Sequence, residues 1–511
     1  MSAPATAPAA RRIVILGDGV AAWMTAAALA DALGPSCRIF VVDPGSGPPA
    51  DFAGADTLLP LAAARLPFRR DEDRLLSSAR GTFGWGVAFA GWAAPDRAWF
   101  LPFGSIGANL GPLPFHHIVL RLRSEGRTPR LADYSLPALA AQAGRFARPV
   151  TDARSVLSTC AYALHLDLAS LAAALRARAE GAGVEQAPAP FESAERTGAV
   201  VAAVRTADGT RLTADLFLDL SAGARLAGDG EWEDWSAWLP CDRALVARVP
   251  RPAPPPPYGL AEAHAAGWTR QLPLADATAV VSCYRADAGG EAAALASLRR
   301  AAGSASFEPD ADVPLAFGRR REAWRGNCVA LGPAATLVDP LVVSNLHLLQ
   351  TALARLLELL PAEAQSPATA REYNRRTAAE LDNVRDHAAA LYLTNGRRGE
   401  PFWDECRTRK PPASLDYRMR LFTGRGKVVL YDEEPLEEAA WTSLFDEQGI
   451  RPARWHPMVD GLPAVELDAH LARVRAIMIE ELKRMPFHAD YLARLGAAGE
   501  QRAGASREVT R

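Results

Sequence analysis

The chain has 511 residues, 49% of them hydrophobic and 23% charged. That is ordinary globular composition at a length able to bury most of the unfolded surface, which excludes a disulfide-stapled miniprotein, a collagen-like rod and a disordered chain. With 57 basic and 59 acidic residues the net charge is −2, so no general attraction to nucleic acid or to an anionic membrane is expected.

Residues 1–10 are rich in Ala and Pro and read as a disordered tail. A strand-like run, Arg12-Ile13-Val14-Ile15-Leu16, begins at once. It leaves no room for a signal peptide, so the cytoplasm is the expected location. Ala21–Leu33 has helix composition, and Cys37–Val42 reads as a buried strand ending at Asp43. Residues 82–103 are aromatic-rich, with Phe83, Trp85, Phe89, Trp92, Trp99, Phe100 and Phe103. Residues 166–184 predict an amphipathic helix, Asp208-Gly209-Thr210 a hairpin turn and Leu216–Leu220 a buried strand. Pro250–Pro257 is too proline-dense for a helix interior or central strand and reads as a stiff surface connection. Cys328–Leu331 predicts a strand before Gly332-Pro333, and Ser344–Leu360 a long buried helix. Residues 365–490 read as mostly helical, and 497–511 as a second disordered tail.

Several features read as structural. Six cysteines (37, 160, 241, 283, 328, 406) show no C-x-x-C spacing and fit free thiols in a reducing compartment. The nine histidines show no H-x-x-x-H or H-E-x-x-H pattern. His116 and His117 are adjacent, which on a strand sends them to opposite faces, so no metal site is expected. Arg319-Arg320-Arg321 and Asp432-Glu433-Glu434 read as solvated charge. No apolar run is long enough to span a membrane.

One motif carries chemistry. Gly17-Asp18-Gly19-Val20-Ala21-Ala22 fits G-x-G-x-x-[GA] after a strand, at the opening of a helix and ahead of a second strand ending in an acid. Gly17 permits a tight turn, Gly19 lets the backbone approach a pyrophosphate, and Ala22 allows close helix–strand packing. The helix start, including Val20 and Ala21, offers partial positive charge, and Asp43 is placed to accept from a ribose. After Asp43 the regular βαβ pattern stops, and a strand-plus-Gly element returns only at 328–332. A split nucleotide domain with a long insertion is the layout of large FAD monooxygenases rather than of simple NAD enzymes.

Further blocks resemble the flavin-dependent tryptophan halogenase family, in family order from Gly17 to Gln350. Gly17–Trp23 resembles its G-G-G-T-A-G-W opening. Thr82–Trp92 (TFGWGVAFAGW) resembles T-F-K-L-G-I-x-F-x-x-W. Tyr162–Asp167 (YALHLD) resembles Y-x-x-H-x-D, and Asp215–Gly223 resembles D-L-F-I-D-C-S-G. Leu239–Ala244 (LPCDRA) is the same hexapeptide. Gly267–Leu274 (GWTRQLPL) resembles G-W-x-W-x-I-P-L, with Arg270 at the second Trp. Asn327–Gln350 resembles N-C-V-A-I-G-x-A-x-x-x-x-E-P-L-E-S-T-x-x-H-x-x-Q.

The chain departs from the family where halogen is handled. The family's lysine, thought to relay hypohalous acid to substrate, corresponds to Gly84, and no lysine precedes Lys410. Arginine is a poor substitute, because its guanidinium stays protonated. The second glutamate of E-P-L-E-S-T corresponds to Val342, and the family's H-P-F reads Leu101-Pro102-Phe103.

The resemblance implies an α/β flavoprotein of FAD-binding Rossmann-like monooxygenase fold. A discontinuous FAD module is expected over 11–80, 155–225 and 320–365, with Gly332 and Leu341 added to its site. A substrate module is expected over 81–154 and 226–319, with Trp85, Leu101, Phe103 and Trp268 at its pocket, and a helical region over 366–496. FAD is expected to arrive as FADH2 from a separate flavin reductase, and homodimers are common in the family. Of three readings, the leading one is a monooxygenase that forms a flavin C4a-hydroperoxide and oxygenates an aromatic or heteroatom-containing small molecule. The second is halogenation of an indole or other aromatic through a non-standard relay, for which His116, His117 and His347 are candidates. The third is a non-catalytic FAD-binding homologue or partner subunit. The second reading requires another nucleophilic nitrogen near residue 84.

Overall fold

The computed structural model describes residues 11–45, 54–59, 72–228, 230–360 and 367–496. Both expected tails lie outside the described residues.

The nucleotide-type sheet is assembled from distant pieces of sequence. Its strands run in the order Glu185–Gln186, Cys37–Val42, Arg11–Leu16, Leu216–Asp219, Cys328–Ala330 and Trp324–Arg325. All neighbouring pairs are parallel except the last. Ile13, Val14, Ile15 and Leu16 are fully buried, as expected of a parallel strand covered on both faces. Helix Gly19–Leu33 packs on helices Leu168–Gly181 and Asn345–Glu358. Its buried alanines 21, 22, 26, 27 and 28 allow that close approach.

A seven-stranded sheet runs Ala311–Pro314, Arg243–Val249, Thr278–Tyr284, Gly267–Pro273, Gly259–His264, Gly86–Ala90 and Ala98–Pro102. Alternating side chains give it two apolar faces. Leu245, Ala247 and Val280 pack with Leu298 of helix Gly290–Ala302. Val246, Val281 and Trp268 join a cluster with Leu381 and Val384 of helix Pro367–Leu393. A small antiparallel sheet of Ala55–Leu58, Ala163–Asp167 and Thr82–Gly84 completes the surroundings of the site.

The helix expected over 166–184 spans Leu168–Gly181, and the one over 344–360 spans Asn345–Glu358. The turn at 208–210 joins Val200–Thr206 to Arg211–Leu212 as a hairpin. Three expectations need correction. His116 and His117 lie on helix Phe115–Ser124, not a strand, with ring centroids 4.2 Å apart. Pro255 and Pro257 are buried, and the Pro257 carbonyl accepts from the Trp85 amide. The second half of the proline run is therefore an internal strut. Arg319 is buried and paired with Glu233 and Asp382, while Glu434 is paired with fully buried Arg418. Arg319's partners lie far off in sequence and Arg418 lies 16 residues before Glu434, so neither run shows its pairing locally.

Candidate active site

The glycine loop closes the strand Arg11–Leu16 at the point where the sheet order reverses, the usual crevice for a nucleotide. The Gly17 amide donates to the Val42 carbonyl at 3.0 Å, and a Cβ on Gly17 would sit 2.9 Å from the Leu220 Cβ. Gly19 has φ +57°, a conformation that favours glycine. Helix Gly19–Leu33 has no side-chain cap and no acid in its first turn, so its N-terminus suits an anion. Asp18 is the one charged group in the loop. Burial, and then the charge of Asp43, raises its pKa. Asp43 is exposed at the strand end and accepts from the Gly45 amide at 2.7 Å.

Gly332 closes the other wall. A Cβ there would meet the Ala21 Cβ and Leu349 Cδ1, both at 3.7 Å. Leu349 belongs to helix Asn345–Glu358, whose first turn is capped by Ser344: its Oγ accepts from the His347 amide at 3.0 Å. His347 is buried with no partner for Nδ1, and neither amide atom of Gln350 has one. Burial lowers the His347 pKa to about 4. Unsatisfied buried polar atoms are costly. Two such residues one turn apart, on a helix that meets the glycine loop through Gly332, fit a missing polar ligand. The glycine cradle, the uncapped helix and these orphaned atoms suit FAD.

The segment before that helix is apolar where the resembled motif is acidic. Val342 is buried in the apolar cluster that also holds Leu341, Val343 and Leu348. Asp339 is fully buried. Its Oδ2 accepts from the Tyr392 hydroxyl at 2.5 Å, Tyr392 in turn accepts from Trp268 Nε1 at 2.7 Å, and Oδ1 has no partner. Burial raises its pKa to about 7. Arg270 binds Asp56 at 3.0 Å, with both side chains almost fully buried. Its guanidinium also donates to the carbonyls of Pro340 (2.9 Å) and Ala55 (3.2 Å), while Asp56 Oδ2 accepts from the Leu346 amide. Arg270 thus ties the strand Ala55–Leu58 to residues 340 and 346.

At residue 84 the space is taken by an imidazole. Thr82 pairs with His165 across the small sheet, so Gly84 is its diagonal neighbour on the same face. A Cβ on Gly84 would lie 2.4 Å from His165 Nε2, and one on Gly259 would lie 4.0 Å from it. His165 is buried. That burial, then the neighbouring His488 and Arg270, brings its pKa down to about 3.

The expected pocket aromatics are all buried. Trp85 Nε1 donates to the Arg145 carbonyl, and its own carbonyl accepts from the Phe103 amide at 2.8 Å. Trp268 is held by Tyr392, and Leu101 and Phe103 pack in the cluster that includes Trp268. Two residues past Phe103, Ser105 opens a cavity of about 350 Å³ that is also lined by Asn109, His116, Thr159, Glu437 and Glu438. Neither Arg nor Lys is in its lining. The sequence reading missed the cavity's second wall, since 437–442 carries only an acidic pair as a signal. Among the described residues, no group of acidic, His or Cys side chains is arranged to hold a metal, and no helix is long and apolar enough to cross a membrane.

The chain matches the tryptophan halogenase family model over residues 12–464. A flavin-dependent halogenase from Brevundimonas sp. BAL3, BrvH, superposes with a TM-score of 0.88 at 31% identity, covering 95% of this chain and 100% of that one. Xcc4156, a flavin-dependent halogenase from Xanthomonas campestris, gives 0.87 at 31% identity, covering 95% and 98%. Tryptophan 6-halogenase SttH of Streptomyces toxytricini is 26% identical over 449 residues, 83% of this chain and 85% of that one. Enzymes of this kind use FAD as FADH2 delivered by a separate flavin reductase. With the family model spanning nearly the whole chain and the fold shared along its length, this protein belongs to the tryptophan halogenase family of flavin-dependent halogenases.

Proposed function

We propose that the protein is a reduced-flavin-dependent halogenase of an electron-rich aromatic small molecule. The observation that carries this reading is the neutral, buried imidazole of His165 beside Gly84. It meets the requirement for a nucleophilic nitrogen where the family lysine is missing. Gly17, Gly19, Val20, Ala21, Ala22, Asp43, Gly332 and Leu341 are the residues proposed to hold FAD. Bound reduced FAD would supply the electrons that activate O2. The protein's part is then to exclude water, hold the substrate and offer a nitrogen to the halogen. The cavity lined by Ser105, Asn109, Glu437 and Glu438 is the proposed substrate site. Its lining favours an uncharged or cationic aromatic over a free carboxylate. A flavin reductase, a homodimeric assembly and a cytoplasmic setting complete the proposal. Six free cysteines suit a reducing compartment.

Oxygenation of an aromatic or heteroatom-containing small molecule is the second reading. Gly84 and the apolar setting of Val342 favour it, because oxygen transfer needs neither the family lysine nor the glutamate. One experiment separates the two. The protein is supplied with enzymatically reduced FAD, O2 and bromide, and a panel of indoles and phenols is scored by mass. Bromine isotope doublets support halogenation. Products heavier by one oxygen, without bromine, support oxygenation. Failure of the protein to bind FAD at all would sink both.

A further inference from the structure

We propose that Nε2 of His165 is the nitrogen that takes halogen from hypohalous acid and passes it to the aromatic ring. This rests on the halogenase reading and names the group that makes it work without a lysine.

The tautomer follows from the hydrogen bonds. Thr82 Oγ1 donates its single proton to the Pro273 carbonyl at 2.5 Å. Its oxygen can then only accept from the imidazole, whose Nδ1 is 3.3 Å away. Nδ1 therefore carries the ring proton, and Nε2 presents a lone pair. That lone pair faces Gly84, where a Cβ would lie only 2.4 Å from Nε2, and Gly259, where one would lie 4.0 Å away. Burial above all, then the neighbouring His488 ring and the Arg270 guanidinium, keeps the ring neutral at physiological pH. A neutral imidazole with a fixed Nδ1–H is a nucleophile at its other nitrogen.

The chemistry balances. The Nε2 lone pair attacks the halogen of hypohalous acid: an N–X bond forms, the X–O bond breaks, and hydroxide departs from a haloimidazolium that keeps its Nδ1 proton on Thr82 Oγ1. The aromatic carbon then attacks that halogen: a C–X bond forms and the N–X bond breaks. The N–X electron pair returns to Nε2, and the ring carbon loses its proton to the hydroxide, which becomes water. The net change is aromatic C–H plus hypohalous acid giving aromatic C–X plus water.

The first test needs no flavin. Protein labelled with ¹⁵N-histidine is titrated by two-bond ¹H–¹⁵N correlation, with H165Q identifying the signal. A neutral Nδ1–H tautomer that persists down to pH 5 and is lost in T82V is expected. An Nε2–H tautomer, or a cation at pH 6, overturns the proposal. The second test compares wild type with H165Q, G84A and H165K under reduced FAD, O2 and bromide. Aromatic bromination is expected to fall at least 100-fold in H165Q and in G84A, whose new methyl crowds Nε2. Hypobromous acid caught by an external trap is expected to persist in both, which a merely structural role would not produce. Partial recovery in H165K supports nitrogen transfer. Bromination by H165Q at the wild-type rate overturns the role of His165 and leaves the halogenase reading standing. A wild type that yields neither brominated product nor trapped hypobromous acid overturns the halogenase reading itself.

Discussion

Replacing Arg270 by Leu removes the cation from a carboxylate that has almost no solvent. Asp56 and Arg270 have side-chain exposures of 5% and 4%, with a 3.0 Å contact between them. Breaking a buried pair by deleting one partner typically costs about 3–5 kcal/mol, because the remaining charge is left uncompensated. The carbonyls of Ala55 and Pro340 also lose their donors. Removing the charge instead, in D56N, leaves a guanidinium that still donates to both carbonyls, and a loss of about 1–3 kcal/mol is expected. The double variant D56L/R270L carries no stranded charge and should be more stable than R270L, leaving chiefly the Leu346 amide without its acceptor. Urea unfolding followed by tryptophan fluorescence of wild type, D56L, R270L and the double variant gives the four stabilities of the cycle and hence the coupling energy. Flavin affinity should fall with R270L as well, since the pair fixes the first turn of the helix bearing His347. An R270L variant that loses less than about 1 kcal/mol, or a double variant equal to the sum of the singles, would refute the reasoning.

Three further outcomes are expected. G17A forces a methyl to within 2.9 Å of the Leu220 Cβ and should weaken FAD binding at least tenfold by flavin fluorescence titration, with the fold kept by circular dichroism. H347L should move two quantities in opposite directions: the flavin-free protein melts at the same or a higher temperature because a buried unsatisfied nitrogen is gone, while FAD binds more weakly. Asp339 has a folded pKa raised to about 7, so ionising it in the fold is penalised as pH climbs from the unfolded value of about 4. The stability of D339N relative to wild type should therefore rise across that window, by roughly 1 kcal/mol per pH unit, and level off above pH 7. A flat difference between pH 5 and 8 would contradict it.

Local pattern was enough to read the nucleotide module, because its parts are local. A glycine loop, the alanine-rich helix after it and two short apolar strands each carry their own signal within about thirty residues. What sequence reading lacked were the partners across sheets. Gly84, Arg270 and Val342 each depart from the resembled motifs, Gly84 and Val342 at the family's lysine and glutamate. In the fold each has a counterpart. His165 fills the space at Gly84, Asp56 neutralises Arg270, and Val342 is buried in an apolar cluster. His165 lies in a block that matches the family, so nothing in its own neighbourhood marked it out. Only the diagonal register between Thr82–Gly84 and Ala163–Asp167 brings its ring to residue 84. Random decay of an unused site predicts stranded charges and voids at such positions. Among these three, the charge is paired, the apolar side chain is packed, and the glycine faces a neutral nucleophile. That pattern is what a site adapted to a different relay requires, and it is why the decisive variant is at His165 rather than a lysine restored at residue 84. A G84K chain must first displace the ring that already occupies the space, so by itself it should bring bromination below the wild-type rate.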